Sequence, residues 1–145
     1  MRAWLIASVA VMALGVAACE SAVSDGQPET KLQENDWVAE TIASTPVIQA
    51  GRVTLSFGEG RVSGRSGCNL YSGPVEIGAS TLKVGALIST KMACLATGVM
   101  QQESAYLNAL EAAQTYTIAG PTLTITTAAG PIVYTATARQ AQPEN

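Results

Sequence analysis

The sequence predicts a mainly β domain of α+β character: a small antiparallel, barrel-like sheet with one amphipathic helix packed on it or plugging it. Three observations carry this prediction. Short stretches alternate apolar and polar residues at period two, glycine- and proline-containing turn signals separate them, and a single segment switches to helical spacing. The chain has 145 residues, enough for one core and too few for two. With 48% hydrophobic and 13% charged residues it is no disordered polyampholyte. A net charge of −3 gives no electrostatic basis for binding nucleic acid. The chain contains no histidine, which removes the usual general base at neutral pH and the commonest transition-metal ligand.

The first eighteen residues carry one positive charge at Arg2 and an apolar run from Ala3 to Ala18. That pattern reads as a secretory signal, too short to span a bilayer as a mature helix. Val16-Ala17-Ala18-Cys19 resembles a bacterial lipobox, in which the cysteine is acylated and becomes the first mature residue. Ordinary signal cleavage after Ala18 fits the same small residues. With two or three acyl chains, Cys19 would anchor the protein to a membrane stably. Glu20 stands where an aspartate resembles an inner-membrane retention signal, so the expected location is the outer membrane, facing the periplasm.

Residues 19–35 read as the lipidated cysteine and a polar tether, able to span on the order of 20–25 Å. Residues 139–145 read as a polar, disordered tail, leaving 36–138 as the folded body. Within it, Trp37–Ile42 is a strand candidate and Arg52–Phe57 alternates cleanly, with Val53, Leu55 and Phe57 on one face. Arg61–Gly64 and Thr81–Gly85 follow, then Tyr116/Ile118, Thr122–Thr126 with Leu123 and Ile125 inward, and Ile132/Tyr134. Turn signals fall at Gly58-Glu59-Gly60, Ser72-Gly73-Pro74, Gly120-Pro121 and Gly130-Pro131. From Val99 to Gln114, Val99, Met100, Tyr106, Leu107, Leu110 and Ala113 recur at helical spacing. Thr97 is the expected N-cap, and Glu103, Asn108 and Glu111 are expected on the outer side.

Three stretches, read together, resemble the META domain of HslJ-like heat-inducible envelope lipoproteins. They are Gly60–Gly64 running into Gly67-Cys68-Asn69-Leu70-Tyr71-Ser72-Gly73, then Thr90-Lys91-Met92-Ala93-Cys94, then Glu103–Leu110 with Tyr116 and the Leu123–Ile125 strand. The resemblance covers roughly Trp37 to Tyr134. It implies a lipocalin-type barrel with one helix and an envelope protein linked to stress tolerance, and it supplies no catalytic residue.

Gly64, Gly67 and Gly73 suit positive φ or close backbone approach, as a corner between strands requires. The run lacks the spacing of a phosphate-binding loop. Cys68 and Cys94 remain once Cys19 is acylated, and an oxidising envelope favours their disulfide. The rival reading is a reactive thiol assisted by Lys91. Arg61 and Arg65, with Arg52 nearby, form either a solvated turn or a small site for a carboxylate or phosphate. Glu103 either complements the helix dipole or bonds to the corner. Ser63, Ser66, Ser89 and Thr90 have no base in view, and no residue set has metal-site spacing.

The expected function is therefore a non-enzymatic envelope lipoprotein, without cofactor or metal. It would contribute to stress tolerance through contacts with other envelope components, its partners being the membrane through its anchor and an envelope protein. The alternative is a carrier that holds a small apolar ligand in the barrel interior. An enzyme using Glu103 or Lys91 is a third reading.

Overall fold

The computed structural model describes residues 28–139. The expected signal segment 1–18, the expected acylation site Cys19, the first part of the expected tether and tail residues 140–145 lie outside the described residues. Ten strands and two helices follow in chain order. They are α1 (Pro28–Glu34), β1 (Asn35–Ile42), β2 (Thr45–Pro46), β3 (Thr54–Gly58), β4 (Arg61–Arg65), β5 (Leu70–Ile77), β6 (Leu82–Val84), β7 (Ile88–Ser89), α2 (Val99–Glu111), β8 (Ala113–Ala119), β9 (Thr122–Thr127) and β10 (Gly130–Ala138). A short 3-10 turn, Gln49–Gly51, precedes β3.

The sheet order β6-β5-β4-β3-β1-β10-β9-β8 is an antiparallel meander whose first and last strands pair with each other, β1 to β10. The two remaining edges, β6 and β8, meet through a Thr81–Thr115 bridge and a bond from the Tyr116 N–H to the Ser80 carbonyl at 3.0 Å. This near-closure leaves few unpaired edge groups, and it turns the alternating apolar faces inward. Val53, Leu55, Phe57, Leu123, Ile125, Ile132 and Tyr134 are all fully buried, as their period-two spacing predicts. A bulge between Ala39 and Thr41 sets Glu40 outward and returns Ile42 to the interior.

Two expectations need correction. The stretch Ser72-Gly73-Pro74 is no turn; it lies inside β5, whose residues from Leu70 to Pro74 pair with β4. Proline is tolerated there because the outer side of β5 changes partner at that point, from β7 at Tyr71 and Ser72 to β6 at Val75–Ile77. The Pro74 carbonyl still accepts the Gly85 N–H at 2.9 Å. The second correction concerns the tether. Its last residues form α1, with proline in the first turn, Glu29 at the positive dipole end and Lys31 near the other. Leu32 of α1 is fully buried, and the Trp37 indole N–H donates to the Leu32 carbonyl at 3.1 Å.

The barrel thus has two plugs where one was expected. α1 enters at the end where β1 begins and β10 finishes, while α2 packs at the opposite end. Arg139, assigned to the tail, donates to the Gln33 and Phe57 carbonyls and clasps α1 to that end. Within the barrel three buried phenols form a directional chain. Tyr71 donates its only hydroxyl proton to the Thr54 carbonyl (2.9 Å), so Tyr106 must donate to Tyr71 (2.7 Å), and Tyr134 donates to Tyr106 (3.2 Å). Burial raises all three phenol pKa values well above 10, so they stay neutral.

Among the described residues, no helix is long and apolar enough to cross a membrane. If Leu32 is what seals the first end, Leu32→Ala destabilises the fold by about 3 kcal/mol in urea unfolding. An unchanged midpoint would show that α1 does not contribute to the core.

Candidate functional site

The resemblance-bearing residues converge at the α2 end. β4 leaves its ladder at Arg65, turns through Ser66–Asn69 and re-enters the sheet as β5. The Gly67 φ of +130° is open only to glycine without strain. Gly64 lies so close to β3 that an added Cβ would fall 2.1 Å from the Thr54 carbonyl oxygen. A corner this tight leaves the Cys68 and Asn69 N–H groups without a strand partner.

Glu103 supplies one. Its Oε2 accepts from the Ser66 hydroxyl (2.8 Å), the Cys68 N–H (3.1 Å) and the Asn69 N–H (2.7 Å), while Oε1 accepts from Asn69 Nδ2 (2.6 Å). Asn69 passes the connection on. Its Oδ1 accepts from the Thr90 hydroxyl (2.8 Å) and the Met92 N–H (2.7 Å), and Nδ2 also donates to the Met92 carbonyl (3.2 Å). The Cys68–Cys94 disulfide, with Cα atoms 5.8 Å apart, fastens the same loop covalently. Corner, loop 90–94 and helix are one unit.

Glu103 is therefore buried rather than on the outer side of α2, and of its two expected roles it takes the bond to the corner. Burial alone would raise its pKa. The bonds from Asn69, Ser66 and Cys68 outweigh that and hold it below 4.5. Thr97 is not the cap: Gly98, with φ +83°, occupies the N-cap without a side-chain bond. Gln102 fixes the first turn of α2 instead, accepting the Ile48 N–H (2.6 Å) and donating to the Gly51 carbonyl (2.7 Å). Sequence reasoning missed both Gln102 and the phenol chain; inward spacing marked Tyr106 and Tyr134 as core but did not link their hydroxyls.

The arginines separate. Arg52 and Arg65 line one outer concavity of about 380 Å³ with Asp36, Thr54 and Ser56. Arg61, at the other end of β4, reaches the Ser72 hydroxyl at 3.2 Å. Ser63 is exposed on the outer wall, Ser66 and Thr90 are bound into the corner, and Lys91 is exposed in the loop. Among the described residues no group of acidic or cysteine side chains is placed to hold a metal ion. A groove of about 520 Å³, lined by apolar and amide side chains, runs between α2 and the β1–β2 hairpin; Ile42, Pro46, Ile48, Ala105 and Ala109 contribute to it.

A meander barrel stoppered by helices, with its outer corner locked by a carboxylate and a disulfide, defines a small β-barrel domain whose marked residues hold structure together. The META domain family matches residues 30–140, and the chain belongs to that family. Two structures solved by NMR are similar. One is 27% identical, covers 73% of this chain and 92% of its own, and superposes with a TM-score of 0.61. The other, from Burkholderia xenovorans, is 27% identical, covers 76% of this chain and 86% of its own, with a TM-score of 0.60. Among curated proteins none matches.

Two outcomes follow from this geometry. A carboxylate whose pKa is lowered by folding contributes stability fully above its unfolded value and loses it as pH falls through the folded one. Stability should therefore drop on acidification below about pH 4.5, and Glu103→Gln should flatten that slope while costing on the order of 2 kcal/mol at neutral pH. An identical pH slope in the variant would exclude Glu103 as its source. Reducing the disulfide, which closes a separation of 26 residues, should cost about 3.5 kcal/mol in the chain-entropy model, read as a lower denaturation midpoint.

Proposed function

We propose that this protein is a non-enzymatic envelope lipoprotein, anchored through Cys19 to the outer membrane and facing the periplasm, whose META domain contributes to stress tolerance through contacts with other envelope components. The observation that carries the non-catalytic reading is how the motif residues are used. Glu103 meets four protein donors, Asn69 is bonded on both sides of its amide, and Cys68 and Cys94 are joined. None is left as a poised acid, base or nucleophile. The leader and the lipobox-like Val16–Cys19 support the anchor, and family membership supports the envelope setting.

The carrier reading has less support. The interior positions hold Trp37, Phe57, Tyr106, Tyr134 and a surrounding set of aliphatic side chains packed as one core. A ligand inside the barrel would have to displace them.

Palmitate labelling of the full chain in cells tests the anchor: incorporation is expected and should vanish in Cys19→Ala. Labelling that persists in that variant, or never occurs, rejects the lipoprotein. Crosslinking followed by pull-down of the intact protein should then recover envelope components as its contacts.

A further inference from the structure

The two halves of the Cys68–Cys94 bridge sit in opposite surroundings. Cys68 is 1% exposed, and it belongs to the run Ser66–Asn69, whose residues are all buried. Its N–H donates to Glu103 Oε2 at 3.1 Å and its carbonyl accepts from the Arg65 guanidinium at 3.3 Å, so its backbone is held on both sides. Cys94 is only half-buried, and Lys91–Ala93 before it and Leu95–Thr97 after it are all exposed. Thiol–disulfide exchange depends on which sulfur an incoming thiolate can reach. Cys68 lies inside the packed corner, so a thiolate meets it only if that corner opens first. Cys94 is met from solvent, beside the positive charge of Lys91 in the same loop.

Breaking the bridge would not release the whole loop. Asn69 Oδ1 accepts from the Thr90 hydroxyl at 2.8 Å and the Met92 N–H at 2.7 Å, and Asn69 Nδ2 donates to the Met92 carbonyl at 3.2 Å. None of these bonds involves a sulfur. Only residues 93–97, between that anchorage and the Gly98 cap of α2, lose their tie. The Cys68 thiol, with its backbone still bound to Glu103, remains close enough to Cys94 to attack in its turn.

We propose that Cys94 is a reversible S-thiolation site for low-molecular-weight thiols. The incoming thiolate sulfur bonds to Cys94 Sγ as the Cys68–Cys94 bond breaks, and the electron pair leaves on Cys68, which takes a proton from water. In the return step the Cys68 thiolate attacks Cys94 Sγ, expels the small thiolate and restores the bridge. The test uses the full chain carrying Cys19→Ser, so that of its three cysteines only the bridged pair remains. The folded protein is exposed briefly to glutathione and quenched with acid, and free thiols are then blocked with a maleimide under denaturant. Proteolysis after Lys91 puts the two sulfurs on separate peptides for mass spectrometry. Glutathione should be found on Cys94 at least about tenfold more than on Cys68, with the maleimide on Cys68. Equal labelling, a preference for Cys68, or a bridge that opens only in urea that unfolds the barrel would each overturn the proposal. Single variants read the same asymmetry without the bridge. The thiol left by Cys68→Ser should react with an aromatic disulfide at least about tenfold faster than the thiol left by Cys94→Ser, and equal rates in folded variants would count against the site.

Discussion

The carboxylate of Glu103 is the interaction on which the α2 end of the barrel depends. A buried charge is costly unless its lone pairs are met, and here four donors meet them. Two of those donors are backbone N–H groups that the corner has removed from the sheet. The helix therefore completes hydrogen bonding that β4 and β5 cannot complete for themselves. Asn69 extends the arrangement to loop 90–94, so removing the loop or the helix leaves polar groups of the corner unsatisfied, and removing the corner leaves polar groups of both the others unsatisfied.

The phenol chain couples this end to the barrel wall. Tyr106 projects from α2 between Tyr71 of β5 and Tyr134 of β10, with the Tyr71 and Tyr106 rings edge-on at 5.6 Å. Because each hydroxyl has one proton, the donor order is fixed from Tyr134 to the Thr54 carbonyl. The helix is positioned by a polar line through an otherwise apolar interior, which specifies its seat more narrowly than packing alone.

Much of this was legible in the residues. The alternation of Val53, Leu55 and Phe57 and of Leu123 and Ile125 marked strands because one side of each faces the core. Glu103 was also legible in retrospect: it holds the fourth place after Val99 on the stripe that continues through Tyr106 and Leu110, all buried. A carboxylate on an apolar stripe calls for buried donors. Other features had no local signal. α1 buries a single apolar residue, too few for a periodicity. The hairpin turn at Ala43 and Ser44 has φ values of +48° and +68° without the glycine or asparagine that advertises such a turn. In β5, Gly73-Pro74 obeyed a change of strand partner instead of its own turn preference. The exposed Leu95 follows from how the disulfide displays its loop, a tertiary fact.

The clasp of Arg139 onto α1 brings the first and last described segments to one pole of the barrel. Tension arriving through residues 1–27 would meet Leu32 and its helix before it reached the long β1–β10 ladder. That ladder would be loaded in shear, many bonds at once, whereas the plug is held by one leucine and a few bonds to carbonyls. Load entering there would therefore fall first on the weakly held plug and only then on the sheet behind it.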